Sequence, residues 1–233
     1  MTKRLFVLKL SGSLFSSSQF EDVVRAILNA LMQEQDLSLI LIAGGGTTAR
    51  KYIQAGLELG LDQTTLDEIG IESSRLNASL LIEALHPFSS RKVAEDLSQL
   101  TEQCERLSLT DNQRIVVCGG LHPGQSTNAV AALISEKTKA DLLINATDVD
   151  GVYNKDPVRF SDAVKLSSVT PTKLSEILGT ESVQAGTYDL MDPIALKLIT
   201  RSRIPTKIVK CDRSSLSSVL HGKDEGTTIV FEP

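Results

Sequence analysis

Lys9 stands near the end of the apolar run Leu5-Phe-Val-Leu-Lys-Leu10 and is followed at once by Ser11, Gly12 and Ser13. An ammonium at the end of an apolar strand is costly unless it meets an anion. There it would bridge the β- and γ-phosphates of a nucleotide and offset charge that develops during transfer. A second apolar run ends in Gly44-Gly45-Gly46 and leads to Arg50, whose guanidinium can fork onto phosphate oxygens. A third loop reads Gly119-Gly120-Leu121-His122-Pro123-Gly124-Gln125-Ser126-Thr127 and also opens into a helical pattern. Glycine lets the backbone turn or come close to a ligand, and a helix start offers free N–H groups and a positive dipole end. Three such loops suit a polyphosphate donor facing a phosphorylated acceptor. None of them is a GxxxxGK[ST] or a GxGxxG motif. The plain alternatives are tight-turn glycines, a strand-end lysine reaching solvent and an exposed helix arginine.

Two carboxylates and a ring extend this set. Asp67, at the start of a long helical pattern, could accept both hydroxyls of a ribose or simply compensate a helix dipole. Tyr153 offers a stacking face and Asp156 a ribose-reaching carboxylate, although Asp150-Gly151 and Asp156-Pro157 are also ordinary turn chemistry.

The elements that must position these groups are short apolar runs alternating with amphipathic segments. Residues 5–10, 37–43, 115–118, 141–146 and 206–210 read as strands, four of them dense in Leu, Ile and Val as strands covered on both faces are. Residues 19–35, 48–59, 66–85, 127–138, 190–202 and 214–220 read as helices. In the third of these, Leu76, Leu80 and Ala84 form one stripe. Strands alternating with helices imply βαβ units, hence a three-layer α/β/α sandwich around a mostly parallel central sheet. After Asp148 the pattern is choppier and suggests a hairpin. The reading is one domain over residues 1–233.

Composition removes several classes. The net charge of -5 and pI near 5.3 argue against nucleic-acid binding, which needs a basic footprint. Three distant cysteines, Cys104, Cys118 and Cys211, give neither a disulfide framework nor a zinc site. No run approaches the roughly 18–20 apolar residues of a membrane span, and the apolar stretch near the start is too short for a signal peptide, so a cytoplasmic location is expected.

Taken together, the chain resembles the amino acid kinase superfamily, and within it the UMP kinases of the archaeal type. The resemblance runs in order through Leu8-Lys-Leu-Ser-Gly12, Ala43-Gly-Gly-Gly-Thr-Thr-Ala-Arg-Lys-Tyr52, Leu66-Asp-Glu-Ile-Gly-Ile71 and Ser74-Arg-Leu-Asn-Ala78. It continues through Gly119–Thr127 with Ala129-Val-Ala-Ala-Leu133, Thr147-Asp-Val-Asp-Gly-Val-Tyr153, Lys155-Asp-Pro157, Val183-Gln-Ala-Gly-Thr-Tyr188 and Met191-Asp-Pro193. It implies that Lys9, Leu10, Ser11, Gly12 and Ser13 line the ATP phosphates with Gly46 and Arg50 beside them. Thr147, Tyr153 and Asp156 would hold the adenosine. Gly45 and Asp67 would hold UMP, with Leu121, His122, Pro123, Gly124, Gln125, Ser126 and Thr127 wrapped around its uracil and ribose. Mg2+ bound with ATP, a homohexamer and inhibition by UTP are further traits that the resemblance implies.

Two positions depart from the pattern. Asp148 stands where the family usually has asparagine, and Asn128 where many members have aspartate. Without that aspartate, Lys9 and Arg50 would carry more of the charge stabilisation. Two other readings are a sibling kinase acting on acetylglutamate, carbamate or isopentenyl phosphate, and a nucleotide-binding protein without catalysis. ATP consumption only in the presence of UMP separates them.

Overall fold

Two strands built mainly of Leu, Ile and Val set the centre of the molecule. β1 (Arg4–Leu10) and β2 (Leu37–Ala43) pair in parallel, from Arg4 beside Leu37 to Leu10 beside Ala43. The computed structural model describes residues 3–107, 112–157, 159–179 and 190–232. β3 (Ile115–Cys118) lies outside β2, and β4 (Leu142–Thr147) takes the other side of β1, both parallel. With β5 (Ser168–Val169), β6 (Thr206–Lys210) and β7 (Thr227–Ile229) the sheet order is β3-β2-β1-β4-β6-β7-β5. Among the pairings of these seven strands, only β6–β7 is antiparallel. The chain therefore builds outward from β1 in one direction and then returns to its other side, which puts a topological switch point between the carboxyl ends of β1 and β4.

Alternation along each strand divides the core in two. Leu8, Leu10, Leu39, Leu41, Val117 and Ala146 face one side, under α1 (Phe20–Gln33), α3 (Gln63–Ala84) and α8 (Arg213–Leu220). Val7, Ile40, Ile42, Val116 and Leu143 face the other, under α4 (Leu97–Leu107), α5 (Thr127–Thr138), α6 (Pro171–Gly179) and α7 (Pro193–Ser202). α2 (Gly46–Glu58) packs on α3. This is the expected three-layer sandwich. The expected hairpin is also present: Asn154 N–H donates to Val164 C=O (3.1 Å) and Leu166 N–H to Val152 C=O (2.8 Å).

The structure corrects the sequence reading at three places. α4 and α6 are helices that the reading left out, although Leu100 and Leu107, and Leu174 and Ile177, are the buried residues that repeat at helical spacing. β5 and β7 are too short to show a pattern. On α3 the inward face is Ala78, Leu81 and Ile82, whereas Leu76 and Leu80 of the predicted stripe are 65% and 47% exposed. The motif Val183–Tyr188 lies outside the described residues.

One buried charge ties the layers together. Arg114, just before β3, donates to Glu34 C=O (3.0 Å) and to Leu31 C=O at the end of α1, and its guanidinium lies 5.1 Å over the Phe88 ring. A cation on the last carbonyls of a helix matches the negative dipole end. Arg114→Met removes both charge-assisted bonds while keeping apolar bulk. It is expected to lower the unfolding free energy by about 3 kcal/mol in a chemical-denaturation experiment.

Candidate active site

The two glycine loops at the ends of β1 and β2 touch backbone to backbone. A Cβ on Gly12 would come within 2.2 Å of Gly46 N, and one on Gly46 within 2.0 Å of Gly12 O. Gly46 also has φ +64, a conformation that side chains rarely adopt. This contact, with Gly44 N–H donating to Leu10 C=O (3.2 Å), fixes the floor of a cavity of about 610 Å3 at the switch point.

Lys9, Ser11, Gly12, Ser13, Gly44–Gly46, Arg50, Thr127, Thr147, Asp148, Val149 and Leu190 line it. Lys9 is 9% exposed and pairs in register with Ile42 and Asn145, so its side chain leaves the sheet on the α5 face. Gly45 is the N-cap of α2 and has no side chain to bond the helix's first N–H groups, and Gly44–Gly46 line the cavity. Arg50, in the second turn of α2, adds a second positive charge. The helix start at α5 differs: Ser126 Oγ accepts from the Asn128 and Ala129 N–H groups, both at 3.1 Å, and donates to Asp192.

The structure thus gathers Lys9, Ser11, Gly12, Ser13, Gly45, Gly46, Arg50, Thr127 and Thr147 into one space. Leu10 is not among the lining residues: its side chain is fully buried in the core, and its C=O accepts from Gly44 N–H in the loop contact. The remaining predicted residues lie outside this lining. Tyr153 O–H donates to Asp150 (2.8 Å), and the buried Asp156 pairs with Arg159 (3.3 Å). Leu121 is buried, while His122, Gly124, Gln125 and Ser126 are exposed and Pro123 is half-buried, on a turn closed by Gln125 N–H donating to His122 C=O (3.3 Å).

α3 braces these loops from behind, which the sequence reading missed. Its N-cap is Asp62, whose carboxylate accepts from Thr65 N–H, so dipole compensation falls to Asp62 and not to Asp67. Asp67 instead accepts from Gly124 N–H (2.7 Å) and holds the third loop. Ser74 Oγ accepts from Gly120 N–H (2.7 Å), and Asn77 Nδ2 donates to Gly44 C=O (2.7 Å). Three polar side chains on one helix secure two glycine loops. The signal was present as Leu66–Ile71 and Ser74–Ala78, but only the cross-chain contacts show what these segments do.

The arrangement suits phosphoryl chemistry better than covalent catalysis. Burial pushes the Cys211 thiol up to about 11, so it is no nucleophile despite lying next to Thr147, whose C=O accepts from Cys211 N–H.

The model of the Amino acid kinase family matches residues 4–210. The chain belongs to the amino acid kinase family. It is 44% identical over 231 residues to the uridylate kinase of Sulfurisphaera tokodaii, covering 97% of this chain and 98% of that one. Against the uridylate kinase of Archaeoglobus fulgidus it is 40% identical over 226 residues, with 96% and 99% covered. The crystal structure of the Archaeoglobus fulgidus uridylate kinase superposes with a TM-score of 0.83 at 37% identity, over 97% of this chain and 99% of the other. A UMP kinase structure from Bacillus anthracis, at 20% identity and a TM-score of 0.75, shares the fold. The glycine contact at the centre of this amino acid kinase makes a direct prediction. Gly46→Ala must displace Gly12, and it should abolish measurable ATP binding in titration calorimetry while far-ultraviolet circular dichroism still shows the α/β content.

Proposed function

We propose that the chain transfers the γ-phosphoryl group of ATP to UMP, giving ADP and UDP, as a step of pyrimidine nucleotide synthesis. The observation that carries this reading is the cavity at the switch point. Two cations, the uncapped start of α2 and the Ser11 and Ser13 hydroxyls converge there, in a chain whose relatives over nearly full length are uridylate kinases.

Transfer between phosphates needs positioning and charge stabilisation more than a strong base. Lys9 and the N–H group of Gly46 hold the γ-phosphoryl group and take up charge on its oxygens as it leaves ADP, while Gly45 meets the phosphate of UMP. Arg50 meets the donor or acceptor phosphate from the other side. Thr147, Tyr153 and Asp156, at and beyond the end of β4, hold the adenosine. The 121–127 loop, pinned at Gly124 by Asp67 and held at its start by the Ser74 bond to Gly120, encloses the uridine and keeps water from the reacting phosphorus.

Mg2+ fits the donors of the cavity, which are hard oxygens: the Asp148 carboxylate with the Ser11, Ser13, Thr127 and Thr147 hydroxyls. Among the described residues no group of three or more His, Cys, Asp or Glu side chains forms a cage, so Asp148 would hold an ion bound mainly through phosphate. The ion would supply charge neutralisation on the phosphate oxygens.

The reading extends to a homohexamer in the cytoplasm that UTP inhibits, with an acceptor half near residues 1–140 and an ATP half near 141–233. Tyr52, Leu57 and Leu59 on and after α2, and Leu76 and Leu80 on α3, are exposed apolar side chains that subunit contacts would cover. No described helix is long and apolar enough to cross a membrane.

Coupled ADP release, with UMP, CMP, dUMP, acetylglutamate and isopentenyl phosphate offered in turn, tests the assignment. Turnover with UMP is expected; turnover only with another acceptor, or with none, overturns it. Lys9→Ala should lower kcat by about 100-fold or more. Asp67→Ala should mainly raise the KM for UMP, by roughly tenfold, because it frees the acceptor loop.

A further inference from the structure

Asp148 is the one carboxylate among the described residues lining the cavity, and it occupies an unexpected place. Its Oδ1 accepts from Ser11 Oγ (2.9 Å) and from Ser13 Oγ (2.5 Å), while those two hydroxyls lie 2.9 Å apart. These are the hydroxyls that the proposed function gives to the phosphates of the nucleotide. A negative group therefore sits on donors meant for a negative ligand, beside Lys9 and Arg50 in the same space. Asparagine, the usual residue at this position in the resembling family, could accept the same two bonds without the charge.

We propose that Asp148 is a specificity-determining residue that makes this phosphate site admit a nucleoside triphosphate only as its complex with a divalent cation. The inference rests on the assignment of this cavity to the donor nucleotide. Two hydroxyls that bond to a carboxylate are not available to a phosphate oxygen until the carboxylate moves or turns. A metal-free triphosphate must in addition approach a like charge in a partly enclosed site, where repulsion is far stronger than in water. A divalent cation reverses the sign of that interaction. Both serine bonds fall on Oδ1, which leaves Oδ2 for the cation or its water shell, and carboxylate oxygen is the preferred protein ligand for magnesium. Asp148 would then change from an occupant of the phosphate site to a partner of the incoming complex.

The alternative is that Asp148 only ties the Ser11–Ser13 loop to the end of β4. Asp148→Asn separates the two, because the amide oxygen keeps both ties and loses the charge. The experiment is titration calorimetry of the full chain with ATP, in excess magnesium and in excess EDTA, for the native chain and for Asp148→Asn. The native chain is expected to bind the magnesium complex at least about tenfold more tightly than free ATP. In Asp148→Asn that ratio should shrink by about tenfold, chiefly because free ATP binds more tightly. An unchanged ratio overturns the inference while leaving the kinase reading intact. Equal weakening of both forms leaves the ratio unchanged and overturns it likewise. Failure of the native chain to bind ATP in either form overturns the donor-site assignment, and the inference with it.

Discussion

The contact between Gly12 and Gly46 is the constraint on which the rest depends. Two parallel strands end side by side, and the loops that leave them meet with no side chain between them. That closeness lets the Ser11–Ser13 hydroxyls and the start of α2 face one volume, and it brings Lys9 within reach of whatever that volume holds. Any Cβ at either glycine would push apart the two halves of the proposed phosphate cradle. The surrounding fold serves to hold this contact: β1 is central, flanked by β2 and β4, and both faces of the sheet are sealed by apolar layers.

α3 is the second organising feature. Its apolar inner face packs on the core, while Asp67, Ser74 and Asn77 reach to Gly124, Gly120 and Gly44. One helix thus couples the proposed donor and acceptor loops. Displacement of α3 would disturb both at once.

Much of this was legible in the sequence, for identifiable reasons. β1, β2 and β3 are runs rich in Leu, Ile and Val, and the helices with long amphipathic runs were placed to within a few residues. The lining residues Lys9, Gly45, Gly46 and Arg50 follow from glycine-rich turns at strand ends, a local signal. What escaped was non-local or short. Asp67 looked like a first-turn residue because the true cap, Asp62, lies five positions earlier; its bond to Gly124 crosses 57 residues. Ser74 and Asn77 carry no mark in isolation. Leu76 and Leu80 have helical spacing, but spacing cannot say which of two apolar faces turns inward. Asp148 was visible as a departure from the family pattern, yet its bonds to Ser11 and Ser13 could be seen only once β1 and β4 were adjacent.

The account's central claim is that phosphoryl transfer takes place between the β1 and β2 loops. A crystal structure of the chain with magnesium, a non-hydrolysable ATP analogue and UMP tests it most directly. The account predicts a γ-phosphorus in line with a UMP phosphate oxygen, with Lys9 Nζ and the Gly46 N–H group in hydrogen-bond contact with the γ-phosphoryl oxygens. Phosphates seated elsewhere, for example on Arg213 at the start of α8, with Lys9 turned away, would contradict it.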